Sequence, residues 1–334
     1  MNLRNKILIT LFALGTIFWG CDSLIYDDLA NCPQGVYVKF YSMTPCATDS
    51  TFLGSVASLT LFAFDENDRL VSSVTQQNVT LSRDYNVLVP VSNGNFTFVA
   101  WAGVDDNFTT GTFTNGTTTK KDVMLTLKSA SGVAANLNGT KVWQGESPVV
   151  FLPDPADYAS FYEYTAVNLQ EVTNRVELIV EFDKESMEEK DITNLGAEVS
   201  AANGTMLIDG AIASGKEALK YAPAAAPAYS VNETNGNRTV TWDYNLLDLR
   251  TGFSNNLYIF YNDGDEAGSF FNGDLIGSIL LTAEQKGGVN LDCENDFTIR
   301  FVVRDACVAC WTHMSCDIWI NDWKVHSYST ELGN

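Results

Sequence analysis

From Val36 onward the chain is written in short runs of Val, Ile, Phe, Tyr and Thr set between clusters of Asn, Asp, Gly and Pro, punctuation that suits antiparallel β-structure and little else. Val36, Val38 and Phe40 alternate with Tyr37, Lys39 and Tyr41, so one face of that strand is buried and the other wet. The runs Ser58 to Phe64, Tyr85 to Val91 and Asn95 to Trp101 carry apolar residues on both parities, which predicts strands covered on both sides. Asp65-Glu66-Asn67-Asp68 predicts a hairpin turn between Phe64 and Leu70. Helical patterns are scarce: Lys184 to Lys190 is at most a charged surface turn, and Pro223 and Pro227 break the Ala-rich segment Tyr221 to Tyr229 into a loop. A second set of strands begins after Thr173-Asn174. There Arg175 to Phe182 sets Val176, Leu178, Val180 and Phe182 against Glu177 and Glu181. Further strands are predicted at Thr239 to Tyr244, Leu257 to Tyr261, Ile276 to Leu281, Phe297 to Val303 and Asp317 to Val325. The expectation is an all-β chain with two sandwiches in tandem, over 36–173 and 174–334.

The N-terminus is a leader. Arg4 and Lys6 precede the apolar run Ile7 to Trp19, which Thr10, Gly15 and Thr16 interrupt and which is too short for the ~20 residues a spanning helix needs. Gly20-Cys21 closes the run and resembles the lipobox at which signal peptidase II cuts once the cysteine is acylated, although Phe18 and Trp19 stand where Leu and a small residue are usual. This reading gives a signal peptide over 1–20, lipidation at Cys21 and a lipidated tether over 21–35. The alternative is an ordinary signal peptide that leaves Cys21 as a structural thiol. The chain has seven cysteines, and setting Cys21 aside leaves Cys32, Cys46, Cys293, Cys307, Cys310 and Cys316, an even set that can pair completely.

The formal charge is −21, and removal of Arg4 and Lys6 with the leader makes it more negative still. Such a chain repels nucleic acid, which is bound through Lys and Arg, and nucleic-acid binding is excluded. Cys307-x2-Cys310-x2-His313-x2-Cys316 is the one metal-like spacing, three thiolates and an imidazole. Exported thiols meet oxidising conditions, so disulfides are expected there and no metal or cofactor. Fifteen pairings of six cysteines are open, and proximity suggests Cys32 with Cys46. Asn262, Asp263, Asp265 and Glu266, near Asn272 and Asp274, offer oxygens to calcium but lack the full alternation of an EF-hand loop; a solvated hairpin loop explains them as well. Both histidines, His313 and His326, lie in the C-terminal segment, and no nucleophile elbow or His-Glu-x-x-His helix gives either a partner, so no enzyme is expected.

Several segments together resemble the FimB-type fimbrial anchor family of Bacteroidetes. They are the lipobox cysteine followed by Ile25-Tyr26-Asp27-Asp28, Cys32-Pro33 before the first strand, Phe62-Ala63-Phe64-Asp65, and Phe98-Val99-Ala100-Trp101-Ala102-Gly103. Trp143-Gln144-Gly145, Asn174-Arg175-Val176 and Ile320-Asn321-Asp322-Trp323 continue the likeness almost to the C-terminus. The resemblance implies two transthyretin-like β-sandwich domains. It also implies a lipid-anchored subunit, held at the outer membrane and exposed at the cell surface, that tethers a strand-polymerised pilus. Its partners would be a fimbrillin shaft or accessory pilus subunits, with the outer membrane held through the N-terminal lipid. The cysteine-rich C-terminal segment departs from the family pattern.

In such pili, subunits join by β-strand complementation. The N-terminus is committed to the lipid, so Ile318, Ile320, Trp323 and Val325, read as one strand, are the expected shaft contact; equally, they complete the second sandwich. The competing function is a surface glycan-binding lipoprotein of a polysaccharide-utilisation system. An exposed row drawn from Trp101, Trp143, Trp242, Trp311, Trp319 and Trp323 would favour it, and buried tryptophans would favour the anchor.

Overall fold

The structure, a computed structural model, describes residues 29–184, 191–262, 267–285, 287–305 and 313–331. It is built almost wholly of strands. Gln34–Tyr41 is the middle of a three-stranded sheet, parallel to Phe161–Asn168 and antiparallel to Asn86–Val89. Its alternation is the expected one, with Val36, Val38 and Phe40 buried and Lys39 exposed. Against it packs a larger sheet in the order Gln170–Glu171, Trp143–Glu146, Gly94–Ala102, Gly54–Asp65, Leu70–Leu81, with Val150–Leu152 also paired to Gly94–Ala102. Leu59, Leu61, Ala63, Phe98 and Ala100 fill the space between the two sheets.

The opposite face of the larger sheet is also covered. Phe62, Phe64, Val99 and Trp101 point into a second core that runs on through Leu178, Trp242, Ile299 and Val325. Two of the three double-sided runs are therefore covered on both sides. Tyr85 to Val91 is the exception: Asn86–Val89 is an edge of the small sheet, with Val87 and Val89 inside and Leu88 outside. The Asp65 turn is as expected. The Asp65 carboxylate accepts the amides of Asn67 and Arg69, both at 2.9 Å, and Asp68 takes a positive φ.

Thr173–Phe182 is the centre of a six-stranded sheet, antiparallel to Arg238–Leu247 and parallel to Asp296–Asp305. Val176, Leu178, Val180 and Phe182 are buried and Glu177 is exposed, the predicted split. A second six-stranded sheet contains Ala267–Gly273, Asn255–Asn262, Leu195–Ala201 and Leu219–Tyr221, and then takes in Val133–Ala134 and Ser129–Ala130 from the first half of the chain. Thr205–Leu207 likewise pairs with Met124–Leu127, which pairs with Phe108–Thr110. Packing thus crosses the point at 173/174 where the second set of strands begins.

Two further elements differ from expectation. Ile276 to Leu281 is not a strand: Leu275–Leu280 forms a wide helical turn that runs into the helix Leu281–Gln285. Asp274 caps it, accepting the Gly277 amide at 2.6 Å, and Leu275, Ile276, Ile279, Leu280 and Ala283 form the buried stripe that helical spacing gives. Asp317 to Val325 is two strands rather than one. His313–Ile320 and Trp323–Glu331 form a hairpin about Asn321-Asp322, both with positive φ, as a two-residue primed turn requires.

Candidate functional site

The sites expected from the sequence lie at the two ends of the chain. At the N-terminal side the described chain starts with the turn Leu29–Asn31, followed by buried Cys32 and Gln34. Gln34 ties this region together: its Nε2 donates to the Ala159 carbonyl at 3.1 Å, and its Oε1 accepts the Asn93 amide at 3.3 Å. Cys21, the residue expected to carry the lipid, lies outside the described residues. No described helix is long and apolar enough to cross a membrane.

The expected Cys32–Cys46 pair is not formed. Cys46 is bonded to Cys293, 247 residues away, with Cα atoms 5.9 Å apart. The reason is geometric. Cys32 precedes Gln34–Tyr41 and Cys46 follows it, so eight residues of extended strand, roughly 26 Å, hold the two at opposite ends of the sandwich. The disulfide ties the loop after the first strand to the loop before Asp296–Asp305, beside a cleft lined by Thr44, Pro45, Glu171, Asp248, Arg250 and Asp292.

Charged groups hold the same junction. Arg175 pairs through Nε with Asp296 and donates from its second amino group to Asp296 at 2.8 Å, while its other amino group meets Glu171. These bonds pull the Asp296 carboxyl below its ordinary range and raise the guanidinium. Asp248 pairs with Arg250, but burial raises its carboxyl against that pull. None of these partners was predicted as a site. Arg175 and Asp296 lie 121 residues apart, and no spacing in the sequence marks them as a pair.

At the other extreme is the C-terminal hairpin. Ile318, Ile320 and Val325 are buried in the second core, whereas Trp323 is 55% exposed. Among the described strands Trp323–Glu331 comes last in its sheet, paired with His313–Ile320. The Ile318–Trp319 position carries a bulge against the terminal strand.

The family described as fimbrillin-A associated anchor proteins Mfa1 and Mfa2 matches residues 29–329. The minor fimbrium anchoring subunit Mfa2 of Porphyromonas gingivalis is 34% identical over 338 residues, covering 99% of this chain and 98% of that protein. The chain belongs to the Mfa2 family of fimbrial anchor proteins. The solved structure of Porphyromonas gingivalis Mfa2 superposes with a TM-score of 0.74 at 34% identity, covering 89% of this chain and all (100%) of that one. A Bacteroides thetaiotaomicron structure described as a candidate polysaccharide binder has a TM-score of 0.66 at 20% identity over 89% of this chain and 98% of its own, a likeness of fold alone.

The signature segments of this Mfa2-family chain do structural work. Gly103 has φ +79°, and a Cβ there would lie 2.1 Å from the Lys141 carbonyl. At Gly145 a Cβ would lie 2.0 Å from the Asn168 carbonyl, so both positions demand the close approach only glycine permits. Asn174 accepts the Leu249 amide at 2.7 Å, Arg175 holds the junction, and Asn321-Asp322 is the hairpin turn. Among the described tryptophans, Trp101 and Trp242 are buried, Trp143 and Trp319 are half-buried, and Trp323 alone is exposed; Trp311 lies outside the described residues. They form no exposed row.

The remaining predicted sites are dispersed. Cys307 and Cys310 lie outside the described residues, as does the loop Asp263 to Glu266. Cys316 is buried, and its thiol is pushed up to about 12 by desolvation first and the Asp317 charge second. Among the described residues no group of three or more His, Cys, Asp or Glu side chains is placed to hold a metal ion. Asn272 and Asp274 are engaged locally, with Asn256 and with the cap of the helical turn.

Proposed function

We propose that this chain is a lipid-anchored structural subunit that holds a fimbria at the outer membrane, acylated at Cys21 and joined to a fimbrillin shaft or an accessory pilus subunit at its C-terminal edge. Family membership over 29–329 carries the anchoring role. The leader and lipobox-like Gly20-Cys21 support the lipid, and the terminal place of Trp323–Glu331 among the described strands of its sheet supports strand addition. The buried hairpin residues refine the mode of contact. Ile318, Ile320 and Val325 serve the core, so the terminal strand stays in its sheet and the shaft pairs alongside it, with Trp323 beside the seam. Division into tandem transthyretin-like sandwiches, with the second half starting near Asn174, belongs to the same proposal. Glycan binding finds less support, because the described tryptophans are largely core.

A proline scan tests the edge. Alternate residues of an edge strand bond inward to the neighbour or outward to nothing, so substitutions at His326, Ser327, Tyr328 and Ser329 should fall into two classes. One parity unfolds the hairpin. The other leaves circular dichroism and melting unchanged yet releases the shaft in pull-down. Fold-neutral prolines that retain full shaft binding would exclude the edge.

A further inference from the structure

Half of the large apolar side chains exposed among the described residues, Leu88, Val149, Phe151, Tyr158, Tyr162 and Tyr164, gather on one end and flank of the first sandwich. The strand registers put them together: Gln34 faces Phe161, Val36 faces Val89, and Gly94 faces Leu152. Asn93 Nδ2 bonds Asp154 at 3.2 Å, and the helix Pro155–Tyr158 packs on Leu29–Asn31. This is the end at which the described chain begins.

The chemistry of the patch is aromatic and amphipathic. Tyr37 stacks on Tyr164 at 5.1 Å and leans on Tyr162 at 5.9 Å, making a tyrosine ladder on the outer face of the small sheet. Tyr164 is 66% exposed, Tyr158 63% and Phe151 61%. Tyrosine with its ring in an apolar layer and its hydroxyl in water is the side chain of membrane interfaces. If Cys21 carries the lipid, eight residue steps separate it from Leu29, at most roughly 29 Å of chain, so this end cannot leave the neighbourhood of the bilayer. Asp154, Asp157 and Glu163 surround the patch, and the whole chain is acidic, which disfavours anionic headgroups.

We infer that the outer face of the small sheet, carrying Tyr37, Leu88, Tyr162 and Tyr164, docks on a zwitterionic lipid surface and fixes the orientation of the subunit on the membrane. The inference rests on the anchoring reading for the position of the tether, and the test is independent of acylation. The mature chain carries an N-terminal hexahistidine tag in place of Cys21 and is held on phosphatidylcholine vesicles through a nickel-chelating lipid. Hydrogen exchange is then compared with the vesicle-free protein. Amides of Phe161–Asn168 and Asn86–Val89 should slow about tenfold while those of Trp323–Glu331 do not change. Leu88→Ser, Tyr162→Ser and Tyr164→Ser together should abolish the protection without altering circular dichroism, and phosphatidylglycerol should weaken it. Identical exchange with and without vesicles overturns the proposal. So does protection of the same amides in concentrated vesicle-free protein, which would make a second copy the occupant. Mass spectrometry of Cys21 in the cell-derived protein tests the anchoring reading separately, and its failure would leave the vesicle result standing.

Discussion

At the scale of single residues, the junction gives the sharpest expectations. Cys46 and Cys293 close a loop of 247 residues, and closing so long a loop destabilises the unfolded chain by about 5 kcal/mol in the chain-entropy picture. The double variant Cys46→Ala/Cys293→Ala should therefore denature at clearly lower urea, and an unchanged midpoint would show that the bridge is not formed in the native protein. Asp296 sets a pH dependence. Its folded pKa is depressed by Arg175, so its contribution to stability is present above the unfolded carboxylate range and is lost as pH falls through the folded value. Asp296→Asn should flatten the acid limb of a stability profile measured by denaturant titration at successive pH values. Cys316 behaves oppositely to a reactive thiol: held protonated up to about 12, it should resist iodoacetamide at pH 8 in the folded protein and react once urea opens the core.

At the scale of elements, Phe62→Ala should remove about 3–5 kcal/mol, because the ring is fully buried and contacts Trp101 and Phe113 edge-on; equilibrium denaturation measures it. The same element shows what the sequence made legible. The double-sided runs at Ser58 to Phe64 and Asn95 to Trp101 could be read because two layers bury both parities, and the one-sided strands Gln34–Tyr41 and Thr173–Phe182 because their alternation is strict. Leu275–Leu280 was misread because a dense apolar run has no decisive period, although Asp274 three residues before Gly277 was a capping signal. The Asn321-Asp322 turn was hidden inside an apolar stretch, and the shaft-contact residues consequently spread over two strands instead of one. Cross-chain partners such as Cys46 with Cys293, or Gln144 Nε2 with the Ile208 carbonyl at 2.9 Å, are set by the folded topology and leave no local trace.

At the scale of the molecule, the features that the family signature preserves in this chain are turns, close approaches and the junction, the parts a subunit needs in order to carry load rather than to perform chemistry. A tether transmits force only if its attachment points are joined by structure that does not open. Here a continuous core from Phe62 to Val325, the Cys46–Cys293 bridge and the Arg175 pair connect the N-terminal end to the C-terminal edge. The central claim is that this body links lipid to fimbria through Cys21. The direct measurement is the partition of fimbriae between cells and culture medium when the chromosomal copy carries Cys21→Ala. The folded subunit and its fimbriae should move together into the medium, and fimbriae that stay on the cells with the Ala variant would exclude a tether through Cys21.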